Sequence, residues 1–228
     1  LSLNSAMFAQ VGINSDNSAP DPSAGLDVKF TNKGLLAPRM TTTQINAIIT
    51  PAEGLIVYNT SLHILVVYDG TGWKGTDGKF YIGLSYAGGI IFYIDGTGQH
   101  GLISATTDQS SGTQWGCYGA TIGGTSTAIG TGQANTTSIV NGCATAGIAA
   151  RICNDLVLNG FSDWFLPSKD ELNQMYLKKT LIGGFANDFY WSSSEYNTTN
   201  AWDQIFIGGL QYFDSKYFSS YVRAVRAF

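Results

Sequence analysis

Charged residues are scarce. Asp, Glu, Lys and Arg make up 12% of the 228 residues, against roughly 25% in an average soluble protein. With a net charge of −4 and only 12 Lys and Arg, no basic stripe exists to neutralise phosphates, which argues against nucleic acid as a partner. Lys178 and Lys179 are the only adjacent basic pair, and a solvated helix end accounts for them. The 2 histidines, His63 and His100, are too few and too far apart for zinc-site spacing. No run of about 18 apolar residues occurs, so nothing in the chain is long enough to cross a membrane as a helix. GxSxG is absent, and no nucleophile pattern accompanies His100. The expectation is a protein that is not an enzyme, with no cofactor and no metal.

What is present is Gly (28 residues), aromatics at 13% and much Ser, Thr and Asn. That mixture suits an extracellular, β-rich, loop-heavy protein. The opening LSLNSAMFAQ reads as the tail of an export signal, with a small-residue cleavage pattern near Ala9 or Gln10. If retained, Ala6, Phe8 and Val11 form an apolar, β-compatible segment. Such a segment can add as a strand to a sheet edge of another subunit, building a filament. A trimeric fibre is the rival geometry.

The three cysteines are too widely spaced for a CxxC site. In an exported chain they read as one disulfide plus one buried thiol. Cys153 falls on an apolar helix face, which favours Cys117–Cys143 as the bridge; three reduced thiols are the alternative.

TTTQINAII (41–49) predicts a short helix with Ile45, Ile48 and Ile49 on one face. LIVYNTSLHILVVYDGTGWK predicts a β-hairpin, after which GTDGK (75–79) reads as a linker. This gives a signal-like or assembly strand (1–10), a small β-rich module (11–76) and a larger α+β domain (77–228). In the last, strands FYIGLSYAGGIIFYID and GLISAT precede a Gly-rich surface loop at 116–133. A helix is expected from about residue 136, with Ala149, Ile152, Cys153 and Leu156 on one face. Ser168 and Glu171 form a capping box for a second helix, whose inner face is Leu172, Met175 and Tyr176.

Gly96-Thr97-Gly98-Gln99-His100-Gly101 matches GxGxxG, but a dinucleotide site needs that loop to open a helix. The next stretch alternates like a strand, so a hairpin turn is the better reading. Asp69, Asp77 and Asp95 stand in turn sequences that do not match an EF-hand loop. Asp170 and Glu171 start a helix and complement its dipole. The chain ends in SSYVRAVRAF, apolar on both faces of an extended strand. This predicts a central strand whose Arg223 and Arg226 require partners. Before it, residues 190–220 interleave Tyr, Trp and Phe with Asn, Ser, Thr and Asp. Such a mixture joins rigid aromatic area to adaptable hydrogen bonding. A β-meander with aromatics in its core is the plainer alternative, and Trp191, Trp202 and Phe206 suit it.

GFSDWFLPSKDELNQMY, YWSSSEY, AWDQIF and YVRAVRAF occur in the order found in a bacterial C-type-lectin-fold domain of exported proteins. The chain resembles that family from about residue 80 to its end. The fold is shared by variable proteins of diversity-generating retroelements and, distantly, by formylglycine-generating enzymes. The resemblance implies a C-type-lectin-like head with two helices and short antiparallel strands. In diversified members WSSS opens a variable region and RVRAVR closes it. By that likeness the exposed ligand-binding positions are Tyr196, Asn197, Asn200, Asp203, Gln211, Tyr212, Phe213, Asp214, Tyr217 and Phe218. Arg223, Arg226, Trp191, Trp202, Cys117 and Cys143 then belong to the scaffold. The Glu-Pro-Asn and Trp-Asn-Asp triplets of calcium-dependent animal lectins are absent, and the paired active-site cysteines of the enzyme branch have no counterpart.

VGIN, PSAGLDV, KGLLAPRMTTTQ, PAEGLIVYNT and YDGTGWK separately resemble a stalk module of surface and tail-fibre-like proteins. Together these readings predict an exported cell-surface adhesin or fibre subunit that self-associates and binds a protein or glycan on another surface. A formylglycine-generating-type enzyme acting through Cys143 or Cys153, and a phage-derived tail-fibre tip, are the alternatives.

Overall fold

The computed structural model describes residues 10–228, so Ala6 and Phe8 of the expected assembly strand lie outside the described residues. The chain divides into two compact units at Pro38 and Arg39. In the first, β1 (Val11–Asn14) pairs in parallel with β2 (Leu26–Lys29), Val11 opposite Leu26. Asp16 and Asp21 shape the connection by accepting from the backbone N–H and hydroxyl groups of Ser18 and Ser23. Val11, the described member of the assembly segment, is exposed.

The second unit, residues 39–228, begins with a four-stranded sheet and one helix. Its strands are β3 (Arg39–Met40), β4 (Ile56–Asn59), β5 (Ile64–Tyr68) and β6 (Trp73–Gly75), in that order. The helix α1 (Thr42–Asn46) starts at a capping box in which Thr41 and Gln44 satisfy each other's backbone. Ile45 faces a small core with Val57, Val66, Trp73 and Leu84. The helix ends at Asn46, whose amide bridges Gly83 O and Ser85 N. Ile49 therefore falls past the helix and is 87% exposed, contrary to the expected apolar face. Because Leu84 belongs to this core, packing runs on through the GTDGK stretch.

Farther along, β7 (Ser85–Tyr86), β8 (Gly89–Ile94) and β9 (Gly101–Ser104) form an antiparallel meander. The GxGxxG stretch is its hairpin turn, closed by Asp95 Oδ1 accepting from Thr97 N and Gly98 N. A second sheet contains β10 (Ser110–Gln114), β11 (Phe189–Glu195), β12 (Asn200–Ile205), β13 (Gln211–Ser215) and β14 (Ser219–Val222), in the order β10-β14-β11-β12-β13. Between its first two strands in sequence come α2 (Gly132–Gly142), α3 (Ala149–Asn154), α4 (Lys169–Leu177) and α5 (Lys179–Ile182).

Three expectations need correction. The helix expected from residue 136 starts at Gly132 and breaks at Cys143, so α2 and α3 are separate, and the head carries four helices rather than two. The terminal stretch is not one strand. Ser219–Val222 is β14, inside the five-stranded sheet; Val225–Ala227 is β15, beside β9 at the end of the meander sheet. Arg223 and Ala224 carry the chain from one sheet to the other. The free side of β15 is covered where Phe165 and Val225 exchange backbone hydrogen bonds, so the buried setting holds, while the central position holds for β14 and not for β15. The result is an α+β protein with mainly antiparallel sheets and a β-rich N-terminal region.

Candidate functional site

Both C-terminal arginines are partnered. Arg223 is buried at the crossing between sheets; its Nε donates to Asp108 Oδ1 at 2.7 Å and its terminal nitrogens to Ala105 O, Gly183 O and Gly184 O. Asp108 also accepts from Tyr190 Oη at 2.9 Å. Arg226 grips Asp163 with two nitrogens, at 2.7 and 2.8 Å, and donates to Ala87 O. Paired and multiply bonded in this way, the charges avoid the several kcal/mol that an orphaned buried ion costs. Arg223 links the 105–108 and 183–184 segments to the crossing, and Arg226 links Asp163 to Ala87.

The polar residues of β11 hold the Gly-rich loop. Ser194 Oγ donates to Ser126 O, and Glu195 accepts from Ile122 N and Gly123 N, each at 2.9 Å. Lys216 Nζ, fully buried, closes on Glu195 at 2.6 Å. Lower in the loop, buried Glu171 accepts from Gly130 N at 2.7 Å as well as from its own cap residue, Ser168. Burial raises its carboxyl against the pull of those donors. The Cys117–Cys143 disulfide ties the start of the loop to the end of α2, the pairing that the sequence favoured. Cys153 is free and buried, and burial pushes its thiol up.

On this support stands an exposed aromatic cluster. Tyr196 and Phe213 stack at 4.2 Å between ring centroids and 17° between planes, and are 49% and 48% exposed. Trp202, half-buried, meets both rings edge-on at 5.5 Å. Lys169 Nζ sits 3.8 Å above the Trp202 ring. The cross-strand pairing of Trp202 with Phe213 dictates this grouping. Trp191, in contrast, is fully buried and donates to Thr113 O.

The ten expected binding positions do not share one face. Strand alternation sends Tyr212 and Asp214 to the side of the β12–β13 ribbon opposite Gln211 and Phe213. Asn197 spends its carbonyl oxygen on Thr199 N and Asn200 N in the turn, and Asn200 donates to Phe213 O. Gln211 donates to Lys169 O. Tyr217 and Phe218 are exposed at the β13–β14 turn, where Tyr217 meets Tyr118 edge-on at 6.3 Å. Tyr118 comes from the distant Gly-rich loop, so no pattern within residues 190–220 points to it.

Asp203 is the clear correction. Rather than exposed, it is 1% accessible, and among the described residues neither carboxylate oxygen has a hydrogen-bond partner. It alternates to the inner side of β12, opposite Tyr212 and Trp191. Burial, then the neighbouring Asp214, raises its carboxyl to about 8.

The other acid-rich turns are structural. Asp69 and Asp77, like Asp95, accept from backbone N–H groups two or three residues ahead. Among the described residues no three His, Cys, Asp or Glu side chains gather as a metal site would require. Nor is any helix among them long and apolar enough to cross a membrane.

Two family models match the chain. One, described as the Lcl C-terminal domain, covers residues 104–226. The other, described as a phage tail like trimerisation region, covers residues 12–89. No curated protein matches.

Proposed function

We propose, from the premise that this chain belongs to the Lcl C-terminal domain family, that it is an exported, non-enzymatic adhesin with a C-type-lectin-like head. The trimerisation region ahead of that domain fits a tail-fibre-like surface protein that self-associates as a trimeric fibre. That region favours the trimer over the donor-strand filament. The observation that carries the binding role is the solvent-facing stack of Tyr196 on Phe213 with Trp202 behind it. Large rings left in water, held by a stapled loop and a crossing strand, offer contact area at small entropic cost. The ligand is a protein or glycan displayed on another surface.

The non-enzymatic reading draws support from the thiols, since two are joined to each other and the third is buried. A phage-derived tail-fibre tip would share the same physics, and the trimerisation match favours keeping it as the second reading. Gene neighbourhood separates the two. Glycan and protein arrays probed with the full chain test the binding role. Replacing Tyr196 and Phe213 together by Ala should weaken binding roughly 10- to 100-fold, as truncating two aromatic anchors does. Undiminished binding by a correctly folded variant places recognition elsewhere.

A further inference from the structure

The β3-β4-β5-β6 sheet is apolar on both sides. Val57, Val66 and Trp73 lie against α1 in the small core. Register pairs Ile56 with Val67 and Tyr58 with Leu65, so these four side chains share the opposite side. Ile56 is 47% and Leu65 42% exposed, while Tyr58 and Val67 are half-buried. An antiparallel sheet with one side in water normally alternates apolar-in with polar-out. IVYN and ILVVY do not alternate in that way; they read as strands covered on both sides. Charge stands only at the flanks, with Arg39 beside Tyr58 and Lys74 beside Val67. Lys74 is already neutralised by Asp69 at 2.7 Å.

We propose that this apolar outer side, with Arg39 and Lys74 only at its flanks, is where copies of the chain meet, with Ile56, Tyr58, Leu65 and Val67 turned toward the three-fold axis of the fibre. The inference rests on the trimeric reading and assigns it a surface. All four residues fall inside the stretch that matches a trimerisation region. Around a closed three-fold axis the same patch of every copy faces inward. An apolar patch suits that arrangement, because three identical charges brought together would repel.

Sedimentation velocity of the full chain provides the test, comparing wild type with the double variant Ile56→Lys, Leu65→Lys. The wild type should run as a trimer. The variant should raise the concentration needed for assembly by roughly 100-fold or more, since it removes two apolar contacts per copy and brings like charges together. A folded variant that still assembles like wild type overturns the assignment and leaves the trimer reading standing. A wild type that stays monomeric at every concentration overturns both. Should circular dichroism show the variant unfolded, hydroxyl-radical footprinting of wild type decides. Protection of Ile56, Tyr58 and Leu65 in the trimer, relative to a dilute sample, supports the assignment; equal labelling overturns it.

Discussion

Replacing Asp203 by Asn is expected to stabilise the head at neutral pH, although the change removes a carboxylate from a sheet. In the folded chain, burial and then the adjacent Asp214 raise this carboxyl from 3.8 to about 8. In the unfolded chain it titrates near about 3.9. Between those values the folded state retains a proton that the unfolded state has released. Stability contributed by the neutral carboxyl is therefore complete below about pH 4 and declines as pH rises toward about 8. At about 1.36 kcal/mol per unit, the ceiling on the loss is on the order of 5 kcal/mol, which water entry and local relaxation reduce to a few. Asn is neutral at every pH and can offer an N–H to Asp214. Urea unfolding followed by tryptophan fluorescence from pH 4.5 to 8.5 reads this directly. The wild type should lose stability across the range relative to Asp203→Asn, with the two close together at the acid end. A variant less stable than wild type at pH 8, or parallel profiles, would refute the buried-acid account.

Two further outcomes follow from the scaffold. Asp108→Asn leaves the buried Arg223 guanidinium without its counter-charge and should cost about 3–5 kcal/mol, read as a lowered midpoint in the same unfolding assay. An unchanged midpoint would mean that the carbonyls of Ala105, Gly183 and Gly184 suffice. Cys153 should resist iodoacetamide in the native protein and react only in denaturant, because it is buried and its thiol is held protonated. Rapid native labelling at Cys153 would reopen the enzyme reading.

Legibility in the sequence tracked distance along the chain. The capping boxes at Thr41 and Ser168 join residues three positions apart, and the Asp95 turn closes within a similar span. Local chemistry of that kind is written out in order. The acids that neutralise the terminal arginines are not, since Asp108 lies 115 residues from Arg223 and Asp163 lies 63 from Arg226. Alternation predicts that Tyr212 and Phe213 oppose each other, but which side faces water depends on what packs above. For that reason Asp203 lies inward and the ten positions divide between two sides of the ribbon. In the WSSSE stretch Ser194 and Glu195 grip a loop some 70 residues earlier, as Glu195 does with Ile122 across 73 positions, a link that no local pattern carries.

The staples on that loop take hold of peptide groups. Glu195 binds the N–H groups of Ile122 and Gly123, Ser194 the carbonyl of Ser126, and Glu171 the N–H of Gly130. Gly123 and Gly130 have the positive φ that favours glycine, but elsewhere a peptide group is common to almost every amino acid, so the grip is indifferent to the side chain displayed. Outward-pointing residues such as Tyr118 can be exchanged over generations without loosening the anchorage. The outward side chains of the loop can thus vary while its path across the surface stays fixed.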